Sequence, residues 1–106
     1  MNKLFENIPD DLPEELFDTL VKTENVEIER IVSRGHSSPA EGWYDQGRAE
    51  FVLLLKGRAR LKFEDGRLVS MEPGDWIEIP AGVKHRVDWT KEDMETIWLA
   101  VHYQDG

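Results

Sequence analysis

From residue 25 onward, apolar and polar positions alternate with a period of two, which is typical of β-strands that bury one face. Turns rich in Gly, Pro and Asp interrupt this pattern about every 8–12 residues, and Asp65-Gly66 predicts a tight hairpin. Seven such strands predict an antiparallel β-sandwich or β-barrel. The predicted strands cover residues 25–34, 49–56, 58–64, 67–71, 75–79, 85–90 and 96–103.

Residues 1–24 follow a different pattern. Asp11 can cap a helix, and Pro13 suits the first turn of that helix. Apolar residues then recur at helical spacing, at Leu16, Phe17, Leu20 and Val21. These features predict a short three-turn helix that packs outside the barrel. The segment also carries seven acidic side chains against two lysines, so a partly frayed acidic arm is the alternative.

Length and charge narrow the classes of protein. The 106 residues are enough for a single domain, which we divide into an acidic helical segment at 1–24 and a barrel at 25–104. The 13 basic and 22 acidic side chains give a net charge of −9, which disfavours binding to nucleic acid or to anionic membranes. The chain has no cysteine, no membrane-length apolar run and no signal-like start, so we expect a cytoplasmic protein.

The segment from Gly74 to His85 carries a recognisable motif. Five residues separate Gly74 from Pro80, one separates Pro80 from Gly82, and two separate Gly82 from His85. This spacing matches the second conserved motif of the cupin superfamily at every fixed position, and the chain resembles a small, stand-alone, single-domain cupin. The resemblance implies an all-β, antiparallel cupin-type barrel, the double-stranded β-helix or jelly roll, with His85 facing its lumen.

The first cupin motif is only half present. Glu50 and Gly57, with six residues between them, match its end. Its two histidines are missing, because their positions fall on Tyr44 and Gln46, or on Trp43 and Asp45 with the longer spacer. The preceding loop is also longer than the family pattern allows.

The resemblance implies a site that contains Glu50 and His85, because metal-binding cupins use three histidines and a glutamate from these motifs. A buried carboxylate and imidazole need a partner, which is either a divalent metal ion or a direct hydrogen bond between the two. Gln46 is the first choice for a third metal ligand, and Asp45 is the second. Such an oxygen and nitrogen set favours iron, manganese or nickel over zinc.

Other polar and aromatic residues are candidates for the same pocket. Trp43 or Tyr44 should stand near the barrel mouth, and Tyr44 is the candidate general acid or base. Alternation along 85–90 puts Trp89 on the same face as His85. His102 either reaches the lumen as a further imidazole or is hydrogen-bonded in the core.

Three functions remain open at this stage. The first is a metal-dependent enzyme that acts on a small polar molecule, of the isomerase, lyase or dioxygenase type found among cupins. The second is a non-catalytic module that binds a small molecule or a metal, for example as a sensor. The third is a structural interaction domain. We also expect a homodimer, because strands 49–56 and 96–103 are apolar on both faces and the outer face needs cover.

Overall fold

The computed structural model describes residues 1–37, 43–44 and 47–104. These residues form eight β-strands and no helix. The strands are β1 (Leu16–Lys22), β2 (Val26–Ser33), β3 (Ala49–Lys56), β4 (Ala59–Phe63), β5 (Leu68–Met71), β6 (Trp76–Ile79), β7 (His85–Thr90) and β8 (Thr96–Tyr103). The seven strands predicted from the alternation pattern are all confirmed as β2 to β8.

The strands form two antiparallel sheets that face each other across the core. The larger sheet has the order β1-β2-β8-β3-β6, and the smaller sheet has the order β5-β4-β7. The predicted all-β antiparallel fold is therefore confirmed.

The predicted N-terminal helix is wrong, because this segment is the edge strand β1. Phe17 pairs with Ile31 of β2, and Phe17 remains 52% exposed. Arg30 of β2 is buried and donates to Asp18 and to the carbonyl oxygen of Leu4, at 2.9 Å. A short helix is marginal by itself, whereas a strand here satisfies the edge of β2 with main-chain hydrogen bonds. Tertiary pairing thus overrides the helical spacing.

The apolar core lies between the two sheets. Leu54 and Trp98 come from the larger sheet, and Leu61, Phe63 and Met71 come from the smaller one; all five side chains are buried. In β3 and β4 the buried residues fall on every second position, as the period of two predicts.

Two glycine turns shape the barrel. Gly57, between β3 and β4, has a φ of 93°, and a Cβ atom there would lie 2.7 Å from the Cα of Thr96, so only glycine fits. The predicted hairpin forms between β4 and β5, but only Gly66 of the Asp65-Gly66 pair adopts a positive φ, of 91°. Asp65 instead accepts a hydrogen bond from the backbone amide of Arg67, at 2.9 Å.

The described ranges contain no helix that is long and apolar enough to cross a membrane.

Candidate functional site

Strand register brings the polar residues of the lumen together at one end of the barrel. Glu50 of β3 lies directly opposite His102 of β8, so both side chains point to the same face of the larger sheet. Glu29 of β2 shares that face, and His85 begins β7 in the opposite sheet. Glu50, His85 and His102 are 7%, 5% and 5% exposed, respectively.

Glu50 and His85 face each other across the lumen, as the resemblance implied. Oε1 of Glu50 lies 3.2 Å from Nε2 of His85, which is within ion-pair distance. The imidazole N–H is nevertheless poorly aligned with this oxygen, and Oε1 has no regular hydrogen-bond partner among the described residues. Nδ1 of His85 lies 3.1 Å from the carbonyl oxygen of Val83 and fixes the ring from the other side.

The surroundings of His85 determine its protonation. Burial by itself lowers the pKa of His85, because it disfavours the charged ring. The polar contact with Glu50, the carbonyl of Val83 and the negative charge of Glu50 outweigh burial, so the pKa of His85 is raised above its ordinary value of 6.5. The site therefore holds a proton more firmly than a free imidazole does.

A second carboxylate and imidazole pair lies beside the first. Nε2 of His102 is 2.8 Å from Oε1 of Glu29. The sequence left open whether His102 reaches the lumen or is hydrogen-bonded in the core, and the structure shows both at once. His102 lines the same cavity as Glu50 and His85 and is bonded to Glu29.

Tyr44 lies at the side of the site. Its backbone exchanges two hydrogen bonds with His85, at 2.7 and 3.1 Å, and the two rings are 5.7 Å apart. Tyr44 also lines the cavity, although its side chain is partly exposed. Trp43 does not line the cavity; its ring lies beneath the guanidinium of Arg86, at 5.8 Å.

The lumen encloses a cavity of about 80 Å³. Its polar lining comes from both sheets and from the N-terminal segment, and consists of Glu15, Glu29, Tyr44, Glu50, His85 and His102. The remaining walls are apolar, with Leu61, Ile79 and Trp98 among them. An apolar cavity of about 150 Å³ holds one benzene molecule, so this space suits a group of only a few non-hydrogen atoms.

The prediction that Trp89 shares the lumen face with His85 is wrong. Leu61 pairs with Val87, but the next residue of β4, Arg60, pairs with Trp89 because β7 contains one extra residue at this point. This β-bulge turns Trp89 outward, where it is 41% exposed. Thr90 points inward instead and is buried opposite Ala59.

We next asked whether the residues present fit a metal ion. Two donor atoms about 2.1 Å from a common ion lie roughly 3.0–3.4 Å apart, so the spacing of Glu50 Oε1 and His85 Nε2 is suitable. Catalytic metal sites use three protein ligands, however, and within the described part of the chain no three His, Asp or Glu side chains converge. Gln46 and Asp45 lie outside the described residues. The described side chains alone therefore do not make a metal site.

Sequence reasoning missed Glu29 and Glu15. Glu27 and Glu29 alternate with Ile28 in β2, a pattern that indicates one acidic face on this strand. The contact of Glu29 with His102 could not be predicted, because it depends on the pairing of β2 with β8. Glu15 receives a hydrogen bond from Ser33, at 2.7 Å. No sequence signal marks it, because it precedes a strand that the sequence predicted as a helix.

Comparison with known proteins identifies the family. The cupin domain description matches residues 30–102. A solved structure from Ralstonia eutropha JMP134, named a "putative mannose-6-phosphate isomerase", is 39% identical, with a TM-score of 0.94 over 99% of this chain and 98% of that one. A cupin superfamily protein from Desulfitobacterium hafniense DCB-2 is 20% identical, with a TM-score of 0.78 over 92% and 84% of the two chains, and shows the fold alone. No curated protein matches significantly. The chain belongs to the cupin family.

Proposed function

We propose that this cupin binds a small polar molecule in its lumen, with Glu50 and His85 as the polar anchor. The observation that carries the proposal is Oε1 of Glu50, a buried carboxylate oxygen beside a cavity of about 80 Å³. Among the described residues this oxygen has no well-aligned hydrogen-bond donor, and Nε2 of His85 lies beside it at 3.2 Å. The indole Nε1 of Trp98, which lines the same cavity, is also unpartnered among the described residues. Each such group costs about 1–3 kcal/mol, which a bound ligand would offset.

Proton transfer is the chemistry that supports an enzymatic role. The raised pKa of His85 favours its protonated ring relative to a free imidazole, and the Glu50 carboxylate stabilises that form. Tyr44 adds a phenol at the edge of the same cavity. An isomerase or lyase reaction, in which a proton moves to or from the bound molecule, fits this set better than an oxygen-dependent reaction.

The name of the Ralstonia relative does not fit this cavity. A phosphorylated hexose is far larger than benzene, and this cavity has about half the volume of one that holds benzene. We therefore propose a smaller ligand than the substrate in that name.

A divalent metal ion is the second candidate occupant. The 3.2 Å between Glu50 Oε1 and His85 Nε2 supports it, with Gln46 as the third ligand. Elemental analysis of untagged protein and the melting temperature of His85→Ala distinguish the two. With a metal, His85→Ala lowers the melting temperature only when metal is supplied. If the lumen holds no metal, His85→Ala lowers the melting temperature by the same amount with and without added manganese or nickel. This is the result we expect.

The main proposal is tested by screening small amines, alcohols and hydroxy acids for a rise in melting temperature. We expect at least one class to stabilise the wild type and not Glu50→Gln. Glu72→Gln, which changes an exposed carboxylate outside the cavity, is the matched control and should respond like the wild type. A screen in which no compound separates Glu50→Gln from the control contradicts the proposal.

We also propose that two chains form a homodimer through the outer face of the larger sheet. Phe51, Leu53, Leu99 and Val101 on this face are only half-buried in a single chain. Light scattering should give about 25 kDa, twice the 12.3 kDa of one chain, and Val101→Glu should lower that mass. A mass near 12 kDa for the wild type contradicts the dimer.

A further inference from the structure

We propose that the lumen selects a small organic cation, a protonated amine, over neutral and anionic molecules of the same size. This inference rests on the proposed function, because it assumes that the lumen binds a ligand. Three features support it: the charge of the lining, the carboxylate oxygen of Glu50 that lacks a well-aligned donor, and the apolar walls.

The charge of the lining is negative. Glu15, Glu29 and Glu50 contribute three carboxylates, and His85 and His102 contribute the positive charges available to balance them. Protonation of both imidazoles would still leave a net charge of −1. None of the cavity-lining residues in the described ranges is Lys or Arg. An anion would therefore enter a small, poorly solvated space against its own charge, whereas a cation is attracted.

The unpartnered oxygen gives the cation a specific place to bind. Within the part of the chain that the structure describes, Oε1 of Glu50 is a buried acceptor without a regular donor, since the N–H of His85 is close but poorly aligned. An ammonium group carries donors that rotate to suit an acceptor, and a hydrogen bond with charge on both sides is roughly twice as strong as a neutral one. A neutral alcohol can donate to the same oxygen and can also accept from the indole N–H of Trp98, which an ammonium group cannot do. The alcohol gains no charge attraction, however, and we expect the charged hydrogen bond of the ammonium group to outweigh this second, neutral one.

The rest of the lining suits an organic cation better than a hydrated metal ion. Phe17, Tyr44 and Trp98 bring aromatic rings to the cavity, and Leu61 and Ile79 add aliphatic surface. Apolar walls pack against the carbon chain of an amine. The volume of about 80 Å³ restricts that chain to a few carbons.

Three probes of similar size and different charge test the proposal: propylammonium, 1-propanol and propionate. Binding is followed by NMR through the indole N–H signal of Trp98, assigned with Trp98→Phe, because this side chain lines the cavity. We expect propylammonium to bind at least about tenfold more tightly than 1-propanol, and propionate not to bind. In Glu50→Gln, the affinity for propylammonium should fall to that for 1-propanol, while the affinity for 1-propanol stays the same.

Glu72→Gln controls for the general attraction of cations to a chain with a net charge of −9. If Glu72→Gln weakens the binding of propylammonium as much as Glu50→Gln does, the attraction is not specific to the lumen and the proposal is wrong. Glu29→Gln serves as a second lumen variant if Glu50→Gln does not fold.

The remaining outcomes separate this proposal from the proposed function. Equal binding of all three probes, or tighter binding of propionate, leaves lumen binding intact and overturns the preference for cations. Displacement of propylammonium by stoichiometric manganese shows that the carboxylates serve a metal ion, which also overturns the amine assignment. If no probe moves the Trp98 signal, the preference for small cations is wrong, and the screen of amines, alcohols and hydroxy acids decides separately whether the lumen binds a ligand.

Discussion

The two ends of the barrel interior are built by the same strands but have opposite chemistry. β3 contributes Leu54 to one end and Glu50 to the other, and β8 contributes Trp98 and His102. Both members of each pair lie on the same face, four residues apart. The apolar end packs Leu54 into the hydrophobic core, whereas the polar end holds two pairs of carboxylate and imidazole around a cavity. Trp98 lies between the two ends, because it belongs to the core and also lines the cavity.

The energetic consequences of the two ends differ in sign. Burying a side chain such as Leu54 contributes about 1.5–3 kcal/mol. Burying Glu50 is unfavourable instead, because its Oε1 has no well-aligned donor among the described residues, and a buried group of this kind costs about 1–3 kcal/mol. Stability by itself does not explain the polar end, and violations of this kind are expected at functional sites. The comparison therefore assigns stability to one end of the barrel and binding to the other.

The largest expected effect comes from the apolar end. Leu54→Ala removes a fully buried side chain from the centre of the core, with 0% exposure. We expect a loss of about 3 kcal/mol in the free energy of unfolding and a drop of roughly 15 °C in melting temperature. Urea unfolding and thermal melts measure both quantities.

Leu68→Ala is the matched control, because the same side chain is 53% exposed in β5. Its loss should stay below about 1 kcal/mol. Equal losses for the two variants would show that the end of the barrel around Leu54 is not the stabilising one.

The polar end should make stability depend on pH, with a smaller effect. The pKa of His85 is raised in the folded state, so the folded protein binds a proton more tightly than the unfolded chain does. The stabilisation is fully present below the ordinary pKa of 6.5 and is lost as pH rises through the raised value. Urea unfolding from about pH 6 to about pH 8 should therefore show falling stability, and Glu50→Gln should flatten this dependence.

His36→Gln is the matched control, because it replaces a histidine outside the lumen, in the loop after β2. It should leave the slope unchanged. A slope that survives in Glu50→Gln would mean that the Glu50–His85 contact does not produce the pH dependence.

The smallest expected effect concerns the boundary of the site. Because the bulge in β7 turns Trp89 outward, Trp89→Phe should change the free energy of unfolding by no more than about 0.5 kcal/mol. It should also leave the Trp98 indole signal unchanged, with or without propylammonium. A shifted Trp98 signal or weaker binding of propylammonium in this variant would show that Trp89 lies in the lumen, as simple alternation predicted.

Local sequence signals anticipated most of the fold and the centre of the site. Strands β2 to β8 follow from the period of two and from turns at Gly and Pro, both of which are short-range properties of the chain. Glu50 and His85 were found because their motifs have fixed spacing, and the structure brings them within 3.2 Å.

Tertiary structure decided what depends on contacts between distant parts of the chain. The spacing of Leu16 and Leu20 fits a helix, but the segment becomes a strand because the edge of β2 offers hydrogen bonds. Alternation put Trp89 in the lumen, but one extra residue in β7 reverses its direction. The contact between Glu29 and His102 spans 73 residues and exists only because β2 pairs with β8. A sequence pattern determines which face a residue takes within a regular strand, whereas pairing with another strand determines whether that strand forms and which residues it meets.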